Sequence, residues 1–238
     1  MKETMEINDA KFTYLVSDHE ISDFSNHYEF IGLKVIVNYT KGTDVLTAKS
    51  GNKELAVVGF CIDSRAEIER EDVPQAILSV DDSMHEVYCF CNRLAGKYMI
   101  IYYDGTHGFI WGDATTSLQI NYSNNIELPL CVASTDKMVA ETLHCQVSEH
   151  MKQIRSGASL SQALPWNVTM YKEISALLPN HYLCISDRKT VRVPLNIRPI
   201  QGGGGAFCGC DAIKYHDKKH RTRIFKILSI GLPVDIRL

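Results

Sequence analysis

The stretch Tyr98-Met99-Ile100-Ile101-Tyr102-Tyr103-Asp104-Gly105-Thr106-His107-Gly108-Phe109-Ile110-Trp111 decides the fold class. Two runs of β-branched and aromatic residues flank a polar turn that contains glycine, which is the pattern of an antiparallel hairpin. Its loop is longer than the two-residue minimum. Upstream, Glu54-Leu55-Ala56-Val57-Val58-Gly59-Phe60-Cys61-Ile62 is a continuous apolar run, short enough to be a strand buried on both faces. Lys11–Val16 and Leu33–Val37 read as strands, and Thr40–Asp44 and Lys49–Asn52 as turns whose Gly and Asn tolerate positive φ. Downstream, Leu118–Tyr122 and Leu130–Ala133 add strands, and Tyr182–Ile185 with Thr190–Val193 predicts a second hairpin.

Helical spacing is grouped between these runs. Asp72 is placed to cap a helix through Ile77-Leu78, with Pro74 in its first turn, where a missing N–H has no partner to lose. From His85 to Leu94 the residues Val87, Cys91 and Leu94 recur at helical spacing, and Gly96 is expected to end that helix. Helical patterns return at Lys137–Leu143 and Glu149–Arg155. Consecutive strands with grouped helices predict an α+β fold of stacked antiparallel sheets flanked by helices, rather than a parallel βαβ series. No internal repeat is visible. After Pro199 the character changes. Gly202 to Gly205 form a hinge free of side-chain restriction. The expected organisation is one domain over residues 1–199 and, over 200–238, a glycine-rich hinge with a short basic tail that reads as the remnant of a truncated frame.

Composition narrows the function classes. The chain has 238 residues, 45% of them hydrophobic, and a net charge of −3, so its surface as a whole is not built to attract nucleic acid or anionic lipid. No stretch approaches the roughly 20 apolar residues of a membrane-spanning helix. Met1-Lys2-Glu3-Thr4-Met5-Glu6 lacks the apolar run of a secretory signal. Without an export signal, the eight cysteines read as thiols rather than disulfides, and Asn167-Val168-Thr169 as a chance glycosylation match. The expected location is cytoplasmic, without a membrane partner.

Several passages, in order, resemble one family. Leu94-Ala95-Gly96-Lys97-Tyr98-Met99-Ile100-Ile101-Tyr102-Tyr103-Asp104 resembles the helix end, glycine, strand and turn of the glutamine amidotransferase domain of asparagine-synthetase-like proteins. Trp111-Gly112-Asp113-Ala114 through Tyr122 is similar to the family's next strand pair. Val132–Met138, Leu177-Leu178-Pro179-Asn180-His181-Tyr182-Leu183 and Val191-Arg192-Val193-Pro194 follow in the family's order. The strand ending in Gly59-Phe60-Cys61-Ile62-Asp63 takes the place of the strand and loop that help bind glutamine. The resemblance runs from about residue 54 to 195 and implies a four-layer αββα sandwich of two antiparallel sheets, the N-terminal-nucleophile hydrolase fold.

The same resemblance implies that the glutaminase chemistry is missing. The family's nucleophile is a cysteine at the processed N-terminus, with its own α-amino group as base. Here Lys2 stands at position 2, residues 1–10 contain no cysteine, and Thr4 would need a further cleavage. The family's Asn-Gly, whose side-chain amide and backbone N–H stabilise the oxyanion, is Val58-Gly59 here. Losing one such donor typically costs about 10² to 10³ in rate. No arginine precedes Arg65 to hold a substrate carboxylate. Gly59, Asp82 (or its neighbour Asp81) and Asp113 are the ligand-site candidates, although Asp113 also reads as a turn-former. Cys61 is the candidate substitute nucleophile, set against the simpler reading of a buried thiol. His181 reads as packing or surface.

The tail adds a further alternative. Gly202-Gly203-Gly204-Gly205-Ala206-Phe207 lacks the polar groups of the family's Ser-Gly-Gly-x-Asp-Ser pyrophosphate loop, so synthetase activity is not expected of this chain. Cys208, Cys210, His216 and His220 have the residue types of a zinc site, but one residue between the cysteines is tighter than usual. Lys218, Lys219, Arg221, Arg223 and Lys226 form a basic cluster without interleaved aromatics, which favours a solvated face over nucleic acid. The expectation is a non-catalytic amidotransferase-like domain that partners a separately encoded synthetase and needs no cofactor. The alternatives are an amidohydrolase using Cys61 and a zinc- or polyanion-binding module in the tail.

Overall fold

The computed structural model describes residues 11–80, 83–157 and 167–193. These residues belong to one unit, Met1–Leu195. In chain order the first half contains β1 (Tyr14–Ser17), β2 (Asn26–Phe30), β3 (Val35–Tyr39), β4 (Val45–Ser50), β5 (Lys53–Asp63), α1 (Val73–Leu78), α2 (Met84–Cys91) and β6 (Leu94–Tyr103). There follow β7 (Gly108–Gly112), β8 (Asn121–Ser123), β9 (Val132–Ala133), α3 (Asp136–Leu143), α4 (Glu149–Gly157), β10 (Ile174–Ala176), β11 (His181–Cys184) and β12 (Thr190–Arg192). The fold is α+β. Among the described residues there are two six-stranded sheets, ordered β10-β8-β9-β1-β3-β2 and β12-β11-β7-β6-β5-β4. Every strand pairing in them is antiparallel.

The opening stretch forms the β6–β7 hairpin, with Ile100 opposite Trp111 and Tyr102 opposite Phe109. Its period-two alternation sorts side chains between two cores. Met99 and Ile101 enter a core shared with Tyr14, Val16 and Val37 of the first sheet, whereas Tyr98, Ile100 and Tyr102 pack with Val73 and Ile77 of α1 and Val87 of α2. β5 divides in the same way, Ala56 and Val58 inward, Leu55, Val57 and Cys61 toward the helices. That double burial is why its sequence is a run of apolar residues rather than an alternation. On the far face of the first sheet, Leu15, Cys131 and Ala133 pack against Met138, Val139 and Ala140 of α3.

Four expectations change. Gly96 does not end a helix: α2 stops at Cys91 with Asn92 at its C-cap, and Gly96 lies inside β6 opposite Cys61. Its φ is +141°, and a Cβ there would stand 2.1 Å from the Phe60 carbonyl oxygen, so glycine serves a close strand approach. Asp72 occupies the N-cap of α1 but makes no side-chain capping bond. Leu118 and Ile120 are buried, but only Asn121–Ser123 of their segment is strand. Lys49 and Ser50 complete β4, which leaves Gly51-Asn52 as the turn into β5. β2 and β10, which the sequence does not mark as strands, are the short edge strands of the first sheet. Among the described residues, no helix is long and apolar enough to cross a membrane.

Candidate functional site

The end of β5 is where the sequence placed the candidate site. Gly59 has φ +101°, and a Cβ on it would approach the Lys97 carbonyl oxygen to 2.4 Å, so no other residue fits without moving backbone. Its backbone N–H donates to the Asp44 carbonyl oxygen at 2.8 Å. Val58 beside it is fully buried in the core between the sheets. The Gly59 N–H is therefore committed to a hydrogen bond, and the Val58 side chain to packing.

Beyond Gly59 the inner face of the second sheet emerges into solvent. Phe60 and Ile62, 41% and 40% exposed, continue the register of Ala56 and Val58. The Arg70 guanidinium lies 5.2 Å from the Phe60 ring centroid and pairs with Asp44 at 2.5 Å. Lys97, directly opposite Phe60, holds its ammonium 4.9 Å above the ring of Phe12. Arginine and lysine over aromatic faces each contribute about 0.5–1 kcal/mol at exposed sites.

Asp63, the last residue of β5, organises the following loop. Its carboxylate accepts from Arg93 Nε at 2.8 Å and Arg93 Nη2 at 2.5 Å, and from the backbone N–H groups of Arg65, Glu67 and Ile68 at 3.2, 3.0 and 3.1 Å. The Arg93 hydrogen bonds, reinforced by those amides, hold this carboxyl far below the usual carboxylate range despite its burial. Arg93 is held more firmly protonated by the same pair and also reaches Glu67 at 2.6 Å. The pair was not read from the sequence, because its partners are thirty residues apart. The only hint was an aspartate ending an apolar strand.

Asp113 and Gly59 both adjoin Tyr98: Gly59 faces it across the β5–β6 ladder, and the Asp113 N–H donates to its carbonyl at 3.2 Å. The Asp113 carboxylate, however, is engaged by its own loop. It accepts from the hydroxyls of Thr115 and Ser117, each at 2.7 Å, and from the N–H groups of Thr115, Ser117 and Leu118. Burial pushes its affinity for a proton up, and these hydrogen bonds more than reverse that, leaving it below the ordinary value. The geometry is that of a loop-former, with its oxygens committed before any ligand arrives. Loop residue Leu118 in turn comes within 3.3 Å of where a Gly59 Cβ would be.

Cys61 is fully buried opposite Gly96. Burial pushes its thiol up to about 12, more than the nearby Arg70 charge brings it down. Such a thiol stays protonated at neutral pH, the reverse of an activated nucleophile. His181, expected as packing or surface, contacts the Pro179 carbonyl oxygen through Nδ1 at 2.8 Å. Asp82, and the tail residues Cys208, Cys210, His216 and His220, lie outside the described residues. Among the described residues, no group of three or more His, Cys, Asp or Glu side chains could hold a metal ion.

A cavity of about 350 Å³ lies at the first sheet, walled by Thr116, Gln119, Asn121, Asp136, Thr169 and Leu177 among others. Two of these, Thr116 and Gln119, follow Asp113 in sequence, so the Asp113 loop borders both the Gly59 region and this cavity. Comparison with protein-family models and with curated proteins finds no match to this chain.

Proposed function

We propose that this chain is a non-catalytic relative of the glutamine amidotransferase domains of asparagine-synthetase-like proteins, acting as a structural or ligand-binding partner of a separate synthetase. The layering supports the N-terminal-nucleophile hydrolase-like part of this reading. Two antiparallel sheets share one core, α1 and α2 pack on the outer face of one, and α3 packs on that of the other. This is the helix–sheet–sheet–helix order that such a fold requires.

The observation that carries the non-catalytic half is at Gly59. A hydrolase of this type needs a backbone N–H and a side-chain donor aimed at the developing oxyanion. Here that N–H is already bonded to Asp44, and its neighbour is a buried valine. The buried Cys61 thiol counts against the amidohydrolase alternative.

Ammonia release from glutamine by the purified chain is the test. The expected result is no release above the spontaneous rate, for wild type and for Val58→Asn alike, because Val58→Asn leaves the Gly59 N–H bound to Asp44. Release by wild type that disappears in Cys61→Ala would overturn the proposal in favour of the amidohydrolase. The partner half is tested by co-purifying the chain with a synthetase subunit that carries the Ser-Gly-Gly-x-Asp-Ser loop and is encoded in the same genome. Failure to co-elute with any such subunit would remove that half.

A further inference from the structure

On α2, one helical turn brings His85 and Cys89 together, with Cys89 Sγ 3.6 Å from His85 Nε2. Side chains four residues apart are neighbours on a helix surface. His85 is exposed and Cys89 half-buried. The other described cysteines are placed differently. Cys61, Cys91 and Cys131 are buried. Burial pushes the thiols of Cys61 and Cys131 up to about 12, and raises those of Cys91, Cys145 and Cys184 as well. Among the described residues, titratable groups near the pair include Glu86 beside His85 and, electrostatically coupled to Cys89, Tyr88 and Cys91 of the same helix. Arg93, the cation just beyond the helix, is committed to Asp63 and Glu67. α1, which packs against α2, ends in the uncharged Ile77 and Leu78. A histidine that takes the thiol proton leaves a thiolate, the form of cysteine that attacks sulfur.

We propose that His85 and Cys89 form a thiol–disulfide exchange site that takes low-molecular-weight disulfides such as oxidised glutathione. The Cys89 thiol proton passes to His85 Nε2, and Cys89 Sγ attacks one sulfur of the disulfide. A new S–S bond to Cys89 forms as the old one breaks, and the departing thiolate takes the proton from the imidazolium. One disulfide is consumed and one is made, so no other oxidant is required. The product is a mixed disulfide on the exposed side of α2, and the inference stands independently of the amidotransferase-like reading.

The test exposes the native chain to oxidised glutathione at neutral pH and follows each cysteine by peptide mass spectrometry. Cys89 is expected to react about tenfold or more faster than any other described cysteine, and His85→Gln to slow it by about tenfold. That deficit should close near pH 9, where an unassisted thiol ionises by itself. Cys89→Ser should remove the fast adduct. A Cys89 rate no higher than those of Cys145 and Cys184, or one unchanged by His85→Gln at neutral pH, would overturn the proposal. If His85→Gln exposes all cysteines alike, the variant has unfolded, and His85→Asn replaces it under the same two criteria.

Discussion

At Gly59 and Gly96 the backbone adopts positive φ while another strand's carbonyl oxygen occupies the space of a side chain, at 2.4 and 2.1 Å from an added Cβ. Gly51 also has positive φ, but nothing lies within 4 Å of its Cβ position. Gly59→Ala and Gly96→Ala should each destabilise by about 3 kcal/mol or more, combining backbone strain with a backbone clash, and Gly51→Ala by only about 1 kcal/mol. Urea denaturation of the three variants checks the order. Asp63 supplies a second prediction at this scale. Its side chain is fully buried, with Arg93 14% exposed, so Arg93→Ala should cost about 3 kcal/mol at neutral pH by leaving the carboxylate without its cation. The folded-state value of Asp63 is depressed, so the stabilisation is complete above the ordinary 3.8 and declines as pH falls below it toward the folded value. Stability curves of wild type and Arg93→Ala should therefore converge in acid and stay parallel from about pH 5 upward. The glycine at position 59 could be read from the sequence as a feature of the strand. The reason for it could not, because the Lys97 carbonyl oxygen that excludes a side chain there comes from another strand.

Between Gly112 and Asn121 the chain was expected to form a strand over Leu118–Tyr122, since apolar residues alternate there. The alternation is real, with Leu118 and Ile120 buried, but the backbone up to Leu118 is claimed by the Asp113 carboxylate instead of a strand ladder. Local side-chain acceptors compete with sheet formation for the same N–H groups. Asp113→Ala should cost about 1–2 kcal/mol, because it leaves the buried Leu118 N–H without its acceptor, while the donors of the exposed Thr115 and Ser117 turn to water. Hydrogen exchange should show the amides of Thr115, Ser117 and Leu118 losing protection, while those of β6 keep theirs. If all these amides remained equally protected, the loop would owe its shape to packing rather than to Asp113. The boundary of α2 is a similar case. Helical spacing continues to Leu94, but Asn92 and Arg93 turn the chain and Leu94 begins the pairing with β5, where it faces Asp63. Tertiary pairing outweighed local propensity.

Among the described residues, the two sheets are joined by their common core and by a part-buried polar tie. Glu54 of β5 accepts from the Tyr28 hydroxyl and the Gly32 N–H, each at 2.8 Å, and pairs with Lys49 at 3.0 Å. Tyr28 belongs to the first sheet and Glu54 to the second, so this bond links the two across the core. Ile101→Ala and Met99→Ala, both at fully buried positions between the sheets, should each cost about 2–5 kcal/mol through lost burial and a residual cavity. Val191→Ala on the exposed edge strand should stay within about 0.5 kcal/mol. Urea midpoints test this, and an unchanged transition slope would show that the denatured state is not altered. The amino-acid order alone determined the antiparallel hairpin at residues 98–111, the buried run of β5 and the α+β class. Each depends on periodicity and turn chemistry within a dozen residues, and backbone sterics read those locally. Only the tertiary structure decided that the Gly59 N–H is spent on Asp44, that Arg93 closes on Asp63 and that the Asp113 oxygens are already filled. Those outcomes depend on which strands become neighbours, and that is set by the burial of the whole core rather than by any one segment.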